Sequence, residues 1–255
     1  MSTTPFFSII TASYNSEKTI SNTIDSVLNL DFQDFEYIII DGNSSDSTLE
    51  IIQSFVPKFE AKGVSYRFIS EKDKGIYDAW NKGIQLSSGK WISFLGSDDS
   101  YLLNALQLYF IEIEKNKTIN YISSQVNLTN EKGKVLSVFG KKYDWKNVIR
   151  DINIAQVGSF HKKELFKNVG LFSTEYKIVG DLDFYIRCKD TIQPGYFKKI
   201  TANMQNGGVS NNVYVALKEA LEVKLKYGYT PKWFTYYKFY SSLIKCYIKM
   251  ILNKK

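Results

Sequence analysis

Short apolar runs and helix-patterned stretches alternate along the first part of the chain, and this alternation constrains the fold more than any other sequence feature. Four runs rich in β-branched or aromatic residues lie at 6–11, 35–40, 64–70 and 91–95. Between them, apolar residues recur at helical spacing, at 20–28, 51–55 and 76–86. A strand, a helix and a second strand in succession form a parallel pair, because only a crossover returns the chain in the same direction. The alternation therefore predicts an α/β fold whose mostly parallel central sheet is flanked by helices.

Polar side chains follow each of the four runs. They occupy residues 11–15, 41–46, 73 and 98–99. The carboxyl ends of parallel strands meet at one edge of a sheet, where open α/β sheets bind ligands, so we expect these side chains to lie together. The layout is typical of a nucleotide site, with Asp41 a candidate partner for a base or a ribose hydroxyl. Neither the GxGxxG fingerprint nor the P-loop pattern occurs in the sequence.

The adjacent carboxylates Asp98 and Asp99 end the last of these runs, directly after Gly96 and Ser97. Two neighbouring carboxylates are unfavourable unless a cation, hydrogen-bond donors or water offset their charge. Mg²⁺ is one such partner, because one or two carboxylates usually hold it together with phosphate oxygens. In the alternative interpretation, Asp99 or Ser100 caps the following helix. The pair alone does not decide between a metal site and a helix cap.

The pattern becomes mixed in the second half of the chain. It predicts a helix, a hairpin, a strand and a short helix at 102–115, 121–139, 156–161 and 163–168. A further helix begins near Val179 and carries Asp181 and Asp183 in its first turn, where the helix dipole favours anions. The dipole is a sufficient structural reason for one aspartate, which leaves the other as a catalytic candidate. His161 has no metal-binding partners at suitable spacing, and we interpret it as an ordinary half-buried histidine.

Four ordered segments resemble motifs of the family 2 glycosyltransferases; they lie at 8–15, 39–48, 73–83 and 89–99. The resemblance covers residues 5–210 and implies the GT-A fold, a nucleotide-diphospho-sugar transferase fold, here with a carboxy-terminal helical extension. Gly-Ile-Tyr-Asp-Ala and Phe-Leu-Gly-Ser-Asp-Asp within these segments are similar to sequences of bacterial enzymes that assemble capsule, exopolysaccharide or O-antigen.

The resemblance also implies an activity and a set of site residues. A hexosyl or N-acetylhexosaminyl group would pass, with inversion, from a nucleotide-diphosphate sugar to a hydroxyl of a lipid-linked or oligosaccharide acceptor, and UDP is the expected nucleotide. Asp181 matches the second position of the family's Glu-Asp motif, which supplies the base, and Arg187 fits the same motif. Asp99, together with Asp98, would bind a divalent metal, Mn or Mg. The residues expected at the nucleotide sugar are Thr11, Ser13, Tyr14, Asn15, Asp41, Asp73, Asp78 and Asp98.

Two positions depart from the family's pattern. Gly96 stands where many members carry the first carboxylate of Asp-X-Asp-Asp, so Asp99 is the first candidate for a direct metal ligand and Asp98 the second. The metal would then be held less by the protein and more by the diphosphate itself. Gly180 stands where many members have the glutamate of Glu-Asp, and this departure leaves the expected base, Asp181, in place.

The net charge of +7 belongs to the carboxy-terminal segment. Residues 211–255 contain nine lysines and two glutamates, and the rest of the chain is electrically balanced. A balanced body argues against a nucleic-acid-binding protein, which needs a basic face of its own. We therefore divide the chain into a GT-A catalytic domain, residues 1–210, and basic, aromatic-rich helices, residues 211–255.

The last helical stretch carries a narrow polar line of Lys238, Ser242, Lys245 and Lys249, and its other faces are apolar and aromatic. This distribution is typical of a helix in a membrane interface, which would hold the protein peripherally on the cytoplasmic face of the inner membrane. Two alternatives stay open, a helix packed back on the body and a helix in a dimer interface, since amphipathic helices usually face a core.

The remaining features favour a cytoplasmic protein. Cys188 and Cys246 are far apart and have neither metal nor redox spacing, which fits a reducing compartment. The amino terminus leads directly into a strand rather than a signal peptide, and no run of about 18 uncharged apolar residues predicts a spanning helix.

Two other functions have to be weighed against glycosyl transfer. A sugar-nucleotide pyrophosphorylase shares the sheet architecture, but it normally has a glycine-rich phosphate loop after its first strand, and this chain has none there. A non-catalytic nucleotide-binding protein has no need of the carboxylates Asp98, Asp99 and Asp181, which are all present.

Overall fold

The computed structural model describes residues 4–150, 154–207 and 212–252 of the chain. The strands are β1 (Phe7–Ser13), β2 (Phe35–Asp41), β3 (Ser65–Ser70), β4 (Trp91–Gly96), β5 (Ser100–Tyr101), β6 (Tyr121–Thr129), β7 (Val135–Phe139), β8 (Ser159–Lys162) and β9 (Pro194–Gln205). The helices are α1 (Ile20–Leu28), α2 (Thr48–Ser54), α3 (Val56–Lys62), α4 (Ile76–Leu86), α5 (Ala105–Lys115), α6 (Trp145–Arg150), α7 (Lys163–Val169), α8 (Gly180–Arg187), α9 (Val213–Tyr227) and α10 (Lys232–Leu252).

The strands of the described residues form one sheet in the order β3-β2-β1-β4-β8-β6-β9-β5, with β7 beside β6. β3, β2, β1 and β4 run parallel to one another. β1, β2 and β4 are buried almost throughout, because helices cover both faces of this half of the sheet. β3 alternates between exposed and half-buried positions, as expected for an edge strand. The predicted α/β class and the parallel amino-terminal half are confirmed.

The other half of the sheet is mixed. β8 is antiparallel to both β4 and β6, and β7 is antiparallel to β6 in the predicted hairpin. β9 runs parallel to β6 and antiparallel to the short strand β5. The sequence pattern does not predict β9, because Lys198 and Lys199 interrupt its apolar alternation.

Two apolar layers enclose the sheet. One layer contains α1, α3 and α5, with fully buried residues such as Ile24 and Phe59. The other contains α4, α7, α8 and part of α9. In this second layer the rings of Trp80, Phe94 and Phe172 pack with centroids 4.6–5.4 Å apart. This aromatic packing joins α4 to β4, so the first turn of α4 is held near the end of the sheet.

Two helix boundaries differ from the prediction. Pro57 is predicted to stop a helix, but it lies in the first turn of α3, where its missing N–H group costs no hydrogen bond. α5 begins at Ala105, with Asn104 at its N-cap, rather than at residue 102. Residues 102–104 instead form a turn that follows β5, the short strand paired with β9.

The predicted carboxy-terminal helices are present. α9 packs against the body, where Val223 is fully buried, and it ends at Gly228, whose φ of 65° lies in the left-handed region. α10 packs on α9, and no helix of the described residues is long and apolar enough to cross a membrane. The predicted boundary between residues 210 and 211 lies outside the described residues, as does the side chain of Lys249.

Candidate functional site

The carboxyl ends of the parallel strands are in register at one edge of the sheet. Ser13 of β1 pairs with Asp41 of β2, which pairs in turn with Ser70 of β3. The hydroxyl groups of Ser16 and Ser97 are 2.9 Å apart, and this contact joins the loops that follow β1 and β4. The predicted convergence of the polar strand ends on one edge is confirmed.

Asp41 lies at the centre of this edge and has no exposed surface. Its carboxylate accepts hydrogen bonds from the hydroxyl groups of Ser13, at 3.2 Å, and of Ser70, at 2.7 Å. The backbone N–H and the hydroxyl of Ser44 donate to the same carboxylate. These donors compensate the buried charge and tie three strand ends together. Asp41 therefore shapes the edge, and its carboxylate is not open to a ligand in this arrangement.

Thr11 and Asn15, which are predicted to contact the nucleotide sugar, differ in their access to solvent. Thr11 is fully buried, and its hydroxyl accepts a hydrogen bond of 3.1 Å from the hydroxyl of Tyr37. Asn15 is exposed and has a left-handed φ of 48°, which asparagine tolerates better than most residues. Its side-chain oxygen accepts from the Ser45 N–H at 2.9 Å. Thr11 is therefore a buried residue that stabilises the strand end, whereas Asn15 keeps a surface that a ligand can reach.

An exposed aromatic ring stands beside a carboxylate at the same edge. Tyr14 is 65% exposed, and Asp73 is partly exposed. Gly42 lies between them, since a methyl group on its Cα would be 2.7 Å from Asp73 Oδ2 and 3.3 Å from the Tyr14 ring. The other oxygen of Asp73 accepts from the Gly75 N–H at 2.9 Å, which fixes the carboxylate. A flat ring can stack on Tyr14 and donate a hydrogen bond to Asp73, so this surface suits a nucleobase.

Asp78 is half-buried in the first turn of α4. Its Oδ2 accepts from the Lys74 N–H at 3.0 Å and lies 3.7 Å from the ammonium group of Lys82. Lys82 also pairs with Glu71 at 2.7 Å. The charge of Asp78 is therefore compensated within the protein, and its contact with a donor stays a prediction.

The carboxylates of Asp98 and Asp99 converge on Gly96. A Cβ atom at position 96 would lie 2.7 Å from Asp99 Oδ2 and 2.9 Å from Asp98 Oδ1. The other oxygen of Asp99 accepts a hydrogen bond of 2.8 Å from the Gln205 N–H at the end of β9. Burial, and then the neighbouring charge of Asp98, raise the pKa of Asp99 to about 7, and burial also raises the pKa of Asp98. The pair is a concentration of negative charge that a cation would relieve.

The two interpretations of this pair can now be separated. Neither Asp99 nor Ser100 caps α5, because that helix begins at Ala105 and its N-cap is Asn104. No group of three or more side chains in the described residues could hold a metal ion by itself. Two carboxylates nevertheless fit Mg²⁺ or Mn²⁺, which takes its other ligands from phosphate and water. The donor set therefore fits a metal that arrives with a diphosphate.

Asp181 lies in the first turn of α8 and is partly exposed. Its Oδ1 accepts from the Leu182 N–H at 2.8 Å, and the Tyr77 hydroxyl is 3.4 Å away. The described residues provide its Oδ2 with no hydrogen-bond donor. Burial raises the pKa of Asp181 to about 6. The carboxylate is therefore ionised at neutral pH and basic enough to accept a proton.

Gly180, the second departure from the family's pattern, packs against the ring of Tyr77. A Cβ atom at position 180 would lie 2.8 Å from that ring. The Tyr77 hydroxyl donates a hydrogen bond of 2.6 Å to the carbonyl of Ile178. The tyrosine ring thus occupies the space that a glutamate at position 180 would need.

The other aspartate of α8, Asp183, has a structural role. It is buried, and it accepts hydrogen bonds from Arg187 Nε at 2.9 Å and from the Tyr227 hydroxyl at 2.8 Å. Arg187 also donates to the carbonyls of Val169 and Leu171, each at 2.7 Å. Asp183 therefore joins α8 to α9, and Asp181 is left as the catalytic candidate of the two.

His161 is fully buried rather than half-buried, because β8 lies between β4 and β6 in the sheet. Its Nε2 is 3.1 Å from the hydroxyl of Tyr185. Burial lowers the pKa of His161 to about 3, so the imidazole is neutral. A neutral histidine enclosed in the core has no access to a reacting group, in agreement with its interpretation as non-catalytic.

Sequence reasoning missed the groups that lie against the site aspartates. The backbone N–H of Gln205 binds Asp99 from 106 residues further along the chain, and the hydroxyl of Tyr77 lies near Asp181, from which it is 104 residues away. No local pattern marks a contact over such a separation. Ser70 alone had a usable signal, as a polar residue at the end of a predicted strand.

Comparisons with known proteins agree on one class of enzyme. Residues 8–158 match the family model described as Glycosyl transferase family 2. Over 213 residues the chain is 29% identical to a PGL/p-HBAD biosynthesis glycosyltransferase of Mycobacterium bovis (strain BCG / Pasteur 1173P2), and the alignment covers 82% of this chain and 80% of that protein.

Two solved structures have a similar fold. S. aureus TarS 1-349 in complex with UDP-GlcNAc has a TM-score of 0.69 at 21% identity, covering 85% of this chain and 64% of that one. The mannosyltransferase PcManGT from Pyrobaculum calidifontis, in complex with GDP-Man and Mn²⁺, has a TM-score of 0.67 at 14% identity, covering 91% and 66%. At these identities the likeness concerns the fold, and it confirms the predicted GT-A architecture.

Proposed function

Because the chain belongs to glycosyl transferase family 2 and is a glycosyltransferase, we propose that it moves a sugar, with inversion, from a nucleotide-diphosphate donor to a hydroxyl of a saccharide acceptor. The observation that carries this proposal is the pairing of two features. Two carboxylates converge at the polar edge of the sheet, and a separate aspartate, Asp181, has a raised pKa and an Oδ2 to which no described residue donates a hydrogen bond. Neither a pyrophosphorylase nor a non-catalytic binder fits the family match.

The nucleoside binds at the exposed surface formed by Tyr14, Gly42 and Asp73. Its base stacks on Tyr14 and donates a hydrogen bond to Asp73. Ser13, Thr11 and the buried Asp41 hold this surface in place. Solved neighbours of the same fold were obtained with UDP-GlcNAc and with GDP-Man, which supports a nucleotide sugar, and we expect UDP.

The diphosphate binds beside Asp98 and Asp99, with Asn15 and Asp78 at the rim of the donor site. Asp99, and secondarily Asp98, would hold a divalent metal, and Mn²⁺ in one solved neighbour supports this assignment. When bound, such a metal neutralises the charge that develops on the leaving diphosphate. The Gln205 N–H keeps one oxygen of Asp99 occupied, so the other is free to face the donor.

Asp181 is the catalytic base of this proposal. As the acceptor oxygen attacks the anomeric carbon, the bond from that carbon to the diphosphate oxygen breaks, and the hydroxyl proton passes to Asp181 Oδ2. A single displacement of this kind inverts the anomeric carbon. The Leu182 N–H, which donates to Oδ1 at 2.8 Å, helps to orient the carboxylate.

The variant Asp181→Asn tests the proposal. We expect kcat to fall about 10²–10⁴-fold, because the amide cannot accept the acceptor proton, while the donor KM and stabilisation by UDP and Mn²⁺ stay unchanged. The measurement is release of nucleoside diphosphate from a screened panel of UDP- and GDP-sugars, with NMR of the product anomer. Asp190→Asn, at an exposed position just beyond α8, is the matched control. Normal turnover of Asp181→Asn would remove this residue from the role.

The acceptor in this proposal is a lipid-linked saccharide of surface polysaccharide assembly, such as capsule or lipopolysaccharide, at the cytoplasmic face of the inner membrane. α10 supports it, because its large side chains face outward along one stripe instead of packing on the body. The stripe consists of Trp233, Tyr236, Tyr237, Tyr240, Ile244, Tyr247 and Ile248, which are 43–72% exposed. Their spacing of three or four residues places them on one helix face, with Lys232, Lys238 and Lys245 outside it.

A further inference from the structure

A buried carboxylate of α9 binds the backbone directly before the proposed base. Glu219 is only 9% exposed, although glutamates are rarely buried unless they have partners. Its Oε1 accepts from the Lys177 N–H at 2.9 Å, and its Oε2 accepts from the N–H groups of Ile178, at 2.9 Å, and Val179, at 3.2 Å. Three consecutive amides thus converge on one side chain from a helix some forty residues further along.

The same short segment is held from its other side by α4. The Tyr77 hydroxyl donates to the Ile178 carbonyl at 2.6 Å, so Ile178 has its N–H bound by α9 and its carbonyl bound by α4. Val179 is the N-cap residue of α8, and Asp181 follows in the first turn. Because the N-cap sets the direction in which a helix begins, the position of Asp181 depends on these contacts.

A second contact joins α9 to α8 on the other side of Asp181. The Tyr227 hydroxyl donates to Asp183 at 2.8 Å, and the Lys226 ammonium group lies 3.9 Å from the same oxygen. α9 therefore holds the chain both before and after the proposed base. By contrast, the described contacts at the donor edge come from β1, β2, β3, β4 and β9 with their loops, and from α1 and α4.

We propose that α9 is part of the catalytic unit and that Glu219 is a positioning residue, which orders residues 177–179 and so places the carboxylate of Asp181. The inference rests on the proposed role of Asp181 as base. It moves the functional boundary of the catalytic domain from residue 210 to the end of α9 at Gly228. The basic, aromatic α10 is then the only described helix outside the catalytic unit.

The test compares Glu219→Ala and Glu219→Gln with Glu222→Gln in the full chain. Glu222 is on the same helix and is exposed, and its carboxylate lies 3.9 Å from the ammonium group of Lys218, so it is a matched control. We expect Glu219→Ala to lower kcat about 10²-fold, the cost of misplacing a reacting group by about 1 Å, with donor KM unchanged. Glu219→Gln keeps one acceptor oxygen and should fall between Glu219→Ala and the wild type, whereas Glu222→Gln should match the wild type.

Hydrogen exchange provides a readout that is independent of catalysis. The amides of Ile178 and Val179 should exchange at least about tenfold faster in Glu219→Ala than in Glu222→Gln, because hydrogen bonds to a charged group are lost. Stabilisation by UDP and Mn²⁺ confirms that each variant is folded. Unchanged kcat with faster exchange would overturn the positioning role, and unchanged exchange would overturn the contact itself. If Asp181→Asn is active, Asp181 is not the base. The exchange measurement still tests independently whether Glu219 orders residues 177–179.

Discussion

At the scale of single residues, the two glycines that depart from the family's pattern are required by their neighbours. At position 96 the missing Cβ lets the carboxylates of Asp98 and Asp99 approach each other, and at position 180 it makes room for the ring of Tyr77. In both places a Cβ atom would come within 3 Å of a neighbouring side chain, so the close packing of these groups depends on glycine. A metal would then depend more on the diphosphate, since the protein supplies fewer carboxylates.

Gly96→Ala tests whether this close approach matters. A methyl group at position 96 would lie 2.7 Å from Asp99 Oδ2 and 2.9 Å from Asp98 Oδ1, so the carboxylates must separate. We expect stabilisation by UDP to require at least about tenfold more Mn²⁺, because a displaced ligand weakens the site by more than about 1.4 kcal/mol. The Mn²⁺ concentration needed for stabilisation by UDP is measured by thermal shift. Asp99→Asn, which lacks the first candidate ligand, shows the result expected for a damaged site. A wild-type Mn²⁺ dependence would show that the convergence at Gly96 has no role in binding.

The pH dependence of the reaction reports on Asp181. Burial raises the pKa of this residue to about 6, so its ability to accept a proton is lost as the pH falls below that value. We expect kcat to decrease about tenfold for each pH unit below 6. An acid limb near the ordinary aspartate value, at about 4, would mean that a different carboxylate acts as the base.

The raised pKa of Asp181 also affects stability, and here the change with pH is opposite to that of kcat. The pKa of Asp181 is higher in the folded state than in the unfolded state, so folding favours the protonated form, and stability decreases as the pH rises from about 4 to about 6. Asp181→Asn removes the ionised form. Its Tm at neutral pH should therefore exceed that of the wild type, and calorimetry at several pH values should show the difference shrinking towards pH 4.

At the scale of elements, the two ends of the parallel strands have different roles. The carboxyl ends carry the polar edge of the site, and the amino ends are held by one buried carboxylate on β2. Glu36 accepts from the Ser8 hydroxyl at 2.6 Å and from the Ser88 and Gly89 N–H groups, and it pairs with Arg67 at 2.5 Å. These contacts fix the turn before β4 at the end of the sheet that lies away from the site.

Glu36→Gln should therefore affect stability and not catalysis. We expect a loss of about 2 kcal/mol in the free energy of unfolding, typical of hydrogen bonds to a charged group, with kcat unchanged in the folded protein. Urea unfolding and steady-state kinetics measure the two effects, and the exposed Glu50→Gln on α2 is the control. A reduced kcat at full folding would show that the amino ends of the strands also influence the site.

This contribution of Glu36 should disappear in acid. Burial raises the pKa of Glu36. Hydrogen bonds from Ser8 and Ser88 and the charge of Arg67 together lower this pKa by a larger amount, so the net shift is downward. Because the pKa is lower in the folded state, the stabilisation is complete above the unfolded value of about 4.3 and is lost as the pH falls below it. The wild type and Glu36→Gln should therefore converge in stability below about pH 4.

At the scale of the whole molecule, charge and exposed apolar surface are concentrated in the same carboxy-terminal segment. The body is electrically balanced, while residues 211–255 carry the net charge of +7. α10 presents its stripe of exposed large side chains on this basic segment. An anionic membrane surface complements both properties, since lysines near such a surface contribute about 1 kcal/mol each and aromatic rings enter the interface.

Trp233→Ser combined with Tyr240→Ser tests the proposal that the stripe binds a membrane surface. We expect binding to vesicles of phosphatidylcholine and phosphatidylglycerol to weaken at least about tenfold, because burial of a large apolar side chain contributes about 1.5–3 kcal/mol. The Tm and the transfer to a short soluble acceptor should not change, since both side chains are exposed. Leu136→Ser, at an exposed position on β7, is the control. Unchanged vesicle binding with a lower dimer affinity in sedimentation would assign the stripe to a dimer instead.

The parallel half of the sheet and the edge where the polar strand ends meet can be predicted from the amino-acid sequence alone. Strand and helix periodicity are local properties, and the rule that parallel strands end at a common edge turns them into a prediction of where Asp41, Asp73, Asp98 and Asp99 meet. The sequence also narrowed the proposed base to one of two aspartates in a helix's first turn, because the dipole explains only one of them.

Which of these groups remain accessible to a ligand depends on the folded structure and cannot be read from the sequence pattern. Asp41 and Thr11 are enclosed by partners from other strands, and Asp183 accepts a hydrogen bond from Tyr227. Asp181 keeps one oxygen to which none of the residues seen in the structure donates. The mixed half of the sheet and the hydrogen bonds between Glu219 and residues 177–179 likewise depend on contacts between residues far apart in the chain. Local periodicity carries no information about such contacts, because they arise from packing that the whole fold imposes.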